Sequence, residues 1–250
     1  MMKFTGSIAI VTGASTGVGE AIAQALFEQG LTVVITARGL FGAAETARRI
    51  DPSGVRAVAM EVDVRDHLSV KNLVDSVIKR FGALHYMVNN AGITGPHGVS
   101  ICDYSVDDWQ DVMQTDVSGV FYGMKYAIPA ILASGGGAVL NLSAVNGAVG
   151  IPGIAPYTAA KHAVLGLTRS AALEYATAGV RINAIAPGYV DTPRMKELPE
   201  DVRQQMAATH PMGRMAEPSE VGRTAAFLLS DEASFITGGF YPVDGGYTAR

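Results

Sequence analysis

Tyr157 and Lys161 stand four residues apart in "PYTAAK", just after a run of Gly and small apolar residues. On a helix that spacing puts both side chains on one face, with Cα atoms roughly 6 Å apart. A phenol beside an ammonium is a proton donor whose acidity the cation raises. Tyrosine starts at a pKa of ~10, and a nearby positive charge favours the phenolate. Such a pair suits a reaction in which negative charge develops on a substrate oxygen.

The second stretch with chemistry in it is "VTGASTGVGEAIA" (11–23), which follows a β-branched run and opens a helical pattern. Gly13, Gly17 and Gly19 let the backbone turn sharply and approach an anion, while the helix behind them offers N–H groups and a positive dipole end. Ser15, Thr16 and Val18 complete the turn. The spacing Gly-x3-Gly-x-Gly is wider than the common dinucleotide fingerprint, but its place at the first strand–helix junction points to a dinucleotide. The tip of the next strand sets the cofactor preference: an acid bonds the ribose 2′-OH of NAD, a base accommodates the 2′-phosphate of NADP. Here "VVITAR" ends in Ala37 and Arg38, so NADP(H) is expected over NAD(H).

These groups need a scaffold, and the hydrophobic pattern supplies one. Strands are expected at 8–12, 31–37, 55–64, 85–90, 138–143, 180–187 and 240–245, with helices near 17–29, 41–50, 67–80, 105–133, 155–178 and 218–230. Most of the strands carry apolar residues at successive positions, as a sheet covered on both faces requires. Strand–helix alternation then predicts right-handed crossovers and a parallel sheet. No linker or internal repeat divides residues 1–250, so a single α/β domain is expected. The least regular stretch, 189–217, holds several prolines and methionines and suits a substrate lid.

Composition narrows the function. The 250 residues are 48% hydrophobic and 17% charged, which describes a well-buried globular chain. A net charge of −4 argues against nucleic acid or an anionic membrane as partner. Cys102 is the only cysteine, which excludes an intrachain disulfide and fits a reducing compartment. No apolar run approaches the ~18 residues of a membrane span, and "SIAIV" is too brief for a signal sequence. A cytoplasmic protein without a metal is expected.

With "TGASTGVG" (12–19), "NNAG" (89–92), "YTAAK" (157–161), "APGYVDT" (186–192) and "FITGGFYPVDGG" (235–246) in this order, the chain resembles the short-chain dehydrogenase/reductase family along essentially its whole length. The resemblance implies a Rossmann-type, doubly wound sheet of about seven strands, a nicotinamide cofactor, and a homotetramer or homodimer. It places Asp63 and Val64 beside the adenine, Asn89, Ala91 and Gly92 along the cofactor, and Pro187, Gly188, Val190 and Thr192 around the nicotinamide. Tyr157 becomes the general acid/base, and Lys161 its acidifying neighbour and a donor to the ribose. The expected activity is hydride transfer between NADP(H) and a ketone or secondary alcohol.

Two positions depart from the family pattern. The family has a serine thirteen residues before the tyrosine, and here that residue is Ala144. Ser143 is adjacent, but neighbouring strand side chains point to opposite faces, so it serves only if the strand end twists or bulges. Asn146 is another donor nearby. The family also has an asparagine on the long central helix that holds a water linked to the lysine. Here Asp116 occupies it; an ionised carboxylate would stabilise the lysine cation and oppose tyrosine ionisation. These changes leave open a non-redox isomerase, dehydratase or epimerase, and a non-catalytic cofactor-binding subunit.

By resemblance the pocket is lined from 94–102, 145–155 and 189–215. Ile93, Val99, Ile101, Val145, Val149, Ile151, Ile154, Tyr189, Met195 and Met212 would make it apolar, fitting a small or medium hydrophobic ketone. Arg194 and Lys196 leave room for a carboxylate or an acyl-carrier partner. The apolar outer faces of 105–133 and 155–178 point to a closed homo-oligomer.

Overall fold

The apolar runs become strands because each can bury both of its faces. The computed structural model describes residues 1–249. Its strands are β1 (Ile8–Val11), β2 (Thr32–Ala37), β3 (Ala57–Glu61), β4 (Tyr86–Asn89), β5 (Gly137–Leu142), β6 (Val180–Pro187) and β7 (Phe240–Val243). All pair in parallel, in the order β3-β2-β1-β4-β5-β6-β7. Ala9, Val11, Val33 and Ile35 enter one core, while Ile8, Ile10 and Val34 enter the other. Alternation on a doubly covered sheet explains why both sets are apolar.

Helices α1 (Gly17–Glu28), α2 (Leu40–Ile50) and α3 (His67–Phe81) follow the first three strands. The stretch 105–133, expected as one helix, divides into α4 (Val106–Met113), a π-helical turn (Gln114–Ser118) and α5 (Gly119–Ala133). Next come α6 (Ala155–Tyr175), α7 (Pro193–Lys196), α8 (Glu200–Ala208) and α9 (Pro218–Leu229). Helices α1 and α9 pack on one face of the sheet; α3, α5 and α6 pack on the other. Among the described residues no helix is long and apolar enough to cross a membrane, and no cluster of His, Cys, Asp or Glu is placed to hold a metal.

The winding reverses between β1 and β4, where doubly wound sheets open a crevice beyond their strand ends. The tips there are fixed by a buried polar chain. Asn89 Nδ2 donates to Asn141 Oδ1 (2.8 Å), Asn141 Nδ2 to Thr168 Oγ1 (2.9 Å), and Thr168 Oγ1 to the Val164 carbonyl (2.8 Å). This chain ties β4, β5 and α6 together, so the residues just beyond each tip start from one rigid platform. Gly123 lets α5 close over it, since a Cβ there would collide with Asn89 Oδ1.

Asn141→Ala would strand the buried Asn89 amide, at a cost of about 2 kcal/mol. Calorimetry should then show a Tm lower by roughly 4–8 °C. An unchanged Tm would mean that the chain does not tie the platform.

Candidate active site

The turn after β1 is shaped by what cannot fit in it. Gly13 (φ +62°) and Gly17 (φ +64°) take left-handed conformations, and a Cβ on Gly13 would lie 2.8 Å from Ala91 Cα. From the β4 side, Asn90 Nδ2 donates to the Thr12 and Gly13 carbonyls (2.8 and 3.0 Å), while Thr12 Oγ1 accepts from the Asn90 and Ala91 amides. No side chain caps the N-terminus of α1, which leaves its first amides for a ligand.

A groove of ≈ 460 Å³ runs from this turn past Ser15, Thr16, Arg38, Asp63 and Val64 to Ala91 and Gly92. Arg38 is exposed at the tip of β2, with no carboxylate on the adjoining Ala37. Arg65, which no sequence motif singles out, also lines the groove and pairs with Asp63 at 2.7 Å. Its hydrogen bonds hold the Asp63 carboxyl below the usual carboxylate range against partial burial. The side-chain-free cradle, open amides and flanking guanidinium fit a dinucleotide. Asn89 departs from expectation: its side chain turns under the sheet to Asn141, not into the groove.

Beyond β4, β5 and β6 lies a second cavity, ≈ 270 Å³, with Gly92 on its border with the groove. Val18, Pro187, Gly188, Val190 and Thr192 line it together with Tyr157 and Lys161. Tyr157 and Lys161 do share a face of α6, the ammonium standing 5.2 Å from the phenol ring centroid. The Tyr157 hydroxyl has no hydrogen-bond partner among the described residues, so its proton is available to a ligand.

Lys161 is not free. Its Nζ donates to the Leu142 carbonyl (2.9 Å) and lies 3.0 Å from Asp116 Oδ2, an ion pair buried at both ends. The π-helical turn carries Asp116 there, and its Oδ1 accepts from the Ile93 amide at 2.7 Å. The 3.0 Å contact leaves no gap for a water between the two charged groups. Gly92 permits the approach: a Cβ there would come within 2.8 Å of Asp116 Oδ2.

The charges then compete. Burial pushes the Tyr157 phenol above the ordinary tyrosine range; Lys161 pulls it down and Asp116 pushes it up again. Burial would also discharge Lys161, but Asp116 and Tyr157 outweigh it and hold the ammonium charged. The lysine is therefore a neutralised cation, and the tyrosine a proton-loaded phenol.

Ser143 borders the cavity, yet its hydroxyl donates to the Lys161 carbonyl at 3.1 Å and is buried behind Gly147. Ser143 lies one residue beyond the end of β5, and its hydroxyl points to α6. Ala144 lines the cavity with a methyl group. Asn146 also lines it, its amide donating one hydrogen bond to Thr158 Oγ1 at 3.0 Å.

Ile93, Val145, Ile151, Ile154, Tyr189 and Met195 line the cavity as expected, joined by His97, Arg194 and Met206. Val99, Ile101, Val149 and Met212 do not. Ile101 is exposed, and Met212 borders a different cavity beside His210.

A family model described as Enoyl-(Acyl carrier protein) reductase matches residues 13–248. The chain belongs to the short-chain dehydrogenase/reductase family. Membership makes it an oxidoreductase-family protein and implies a nicotinamide dinucleotide cofactor. The chain is 43% identical to the cyclohexanol dehydrogenase of Acinetobacter sp. (strain SE19), covering 99% of this chain and 97% of that one. It is 46% identical to the cis-4-hydroxycyclohexanecarboxylate dehydrogenase of Sinomonas cyclohexanicum, over 98% of each. Among solved structures it is similar to the ligand-free aldohexose dehydrogenase of Thermoplasma acidophilum. That match has a TM-score of 0.87 and 34% identity, covering 98% of this chain and 94% of the other.

Ultraviolet difference titration against Tyr157→Phe reads the phenol directly. The Tyr157 phenolate should appear only above the ordinary tyrosine range, at a pH above ~10. Its appearance near neutrality would show that Lys161 dominates the site.

Proposed function

We propose that this protein is an NADP(H)-dependent ketone reductase/alcohol dehydrogenase acting on a small or medium hydrophobic ring ketone and its secondary alcohol. The observation that carries this reading is the unpartnered Tyr157 hydroxyl in an apolar cavity, beside a lysine and adjoining the glycine-cradled groove. The names of the two cyclohexane-ring relatives support the substrate class, and so does the aliphatic lining.

When bound, the cofactor supplies the hydride. The rest falls to the protein. Tyr157 gives its proton to the ketone oxygen, or takes it back from the alcohol. Lys161 stabilises the phenolate that forms and offers its remaining N–H to the ribose. Asp116 keeps Lys161 charged and Tyr157 protonated, the state that ketone reduction needs at neutral pH. Ser143 is committed to the Lys161 carbonyl, so Asn146 is the second donor to the developing oxyanion. Arg38 receives the 2′-phosphate. Gly13, Ser15, Thr16, Gly17, Val18 and Gly19 cradle the pyrophosphate, and Val190 and Thr192 hold the nicotinamide. Exposed Trp109, Phe121 and Leu173 on α4, α5 and α6 support a homotetramer or homodimer.

Following NADPH absorbance with cyclohexanone tests the reading. The protein should turn over and Tyr157→Phe should not; turnover by Tyr157→Phe at the native rate would end it. NADPH should bind about tenfold more tightly than NADH, a difference of the size of one charge-assisted contact, and Arg38→Asp should reverse the order. Tighter NADH binding by the unaltered protein would refute that assignment.

Loss of an oxyanion donor costs about 10²–10³ in rate. Asn146→Ala should lose that much in kcat, and adding Ala144→Ser to it should recover most of the loss. If Ser143→Ala causes the loss instead, the second donor is the serine.

A further inference from the structure

The substrate cavity has an unbalanced charge at its rim. Among its described lining residues there is no Asp or Glu at all, while Lys161, His97 and Arg194 are basic. The Lys161 charge is answered by Asp116, and His97 Nε2 lies 2.9 Å from Thr94 Oγ1. Arg194 has no answering group. Its exposed guanidinium makes no hydrogen bond or ion pair with any described residue, although carboxylates stand close by in sequence. Two of those carboxylates are taken by other cations: Asp191 pairs with Arg203 at 3.2 Å and with Lys196 at 3.6 Å, and Glu200 pairs with Arg203 at 2.9 Å, while Glu197 and Asp201 pair with no described residue and leave Arg194 unanswered. Of the cations on the lid helices α7 and α8, Lys196 and Arg203 are therefore paired and Arg194 is the one left out.

That one borders both spaces, the substrate cavity and the dinucleotide groove. The groove already has cations and open amides for phosphates, in Arg38, Arg65 and the N-terminus of α1. In the cavity the other two basic residues, Lys161 and His97, already contact Asp116 and Thr94. Met195 and Met206 line the same cavity and give it an apolar wall. A guanidinium is the group that reads a carboxylate bidentately.

We infer that the substrate is a ring ketone or alcohol bearing a carboxylate, and that Arg194 binds this carboxylate at the cavity rim. The inference rests on the reductase reading for the reacting oxygen, but it concerns a different part of the ligand.

Titration calorimetry on protein saturated with NADP+ (NAD+ if that binds better) tests it without turnover. The probes are 4-oxocyclohexanecarboxylate and cyclohexanone, on the unaltered protein, Arg194→Ala and Arg194→Lys. The unaltered protein should bind the carboxylate more tightly. Arg194→Ala should lose roughly tenfold to a hundredfold of that affinity, the range of one charged hydrogen-bonded contact, with cyclohexanone little affected. Arg194→Lys should retain part of it. Equal losses for both probes, or no preference for the carboxylate in the unaltered protein, would overturn the inference. So would a loss confined to the dinucleotide, which would assign Arg194 to the cofactor pyrophosphate. Selective binding without any reduction of either ketone by NADPH would instead uphold Arg194 and refute the reductase reading.

Discussion

A lysine and an aspartate, both buried and 3.0 Å apart, govern the electrostatics of this site. Two charges withdrawn from water cost several kcal/mol each, and they persist only where their remaining valences are met. Here they are: the Leu142 carbonyl accepts from Lys161, and the Ile93 amide donates to Asp116. The pair is close to neutral overall. A tyrosine beside it feels burial more than it feels the lysine, and so stays a phenol. With an asparagine in place of the aspartate, the same lysine would act unopposed.

Everything needed to hold the pair comes from the sheet and its connections. The end of β5 supplies the Leu142 carbonyl, the segment after β4 supplies the Ile93 amide, and α6 supplies Lys161. The Asn89–Asn141–Thr168 chain keeps these three elements in register. The π turn adds the fourth member. Widening one turn between α4 and α5 brings Asp116 toward α6, and such local departures from the α-helix often mark functional positions. Gly92 then lets the carboxylate close in. Ser143 is drawn into the same framework, its hydroxyl donating to the Lys161 carbonyl, and Asn146 is the donor proposed in its place.

Much of this was legible in the residues. The strands could be read because double burial demands uninterrupted apolar runs, and the glycine turn because only glycine tolerates its conformation and contacts. The spacing of Tyr157 and Lys161 set their common face. Alternation along β5 also set Ser143 apart from Ala144, and its hydroxyl points to the Lys161 carbonyl. The π turn was not legible, since it depends on a shift of backbone hydrogen bonding that no residue pattern in "QTDVS" announces. Asn89 was read with its neighbours as a cofactor contact; only the strand register shows that its amide faces Asn141 while Asn90 braces the glycine turn. The cavity walls were legible on strand ends and helix starts, at Ile93, Val145 and Ile154. They failed on loops, where Ile101 and Met212 took directions set by tertiary packing. Arg194 could be named from the sequence, but its lack of a partner emerged only once Asp191 was seen bound to Lys196 and Arg203.

The central claim is that Asp116 cancels Lys161 and keeps the Tyr157 proton in place. The pH dependence of alcohol oxidation by Asp116→Asn, compared with the unaltered protein, tests it most directly, because oxidation needs the phenolate. Removing the carboxylate removes a charge that raises the Tyr157 pKa, so the rising limb of the oxidation profile should move to lower pH. A limb that stays in place or moves to higher pH would contradict the account.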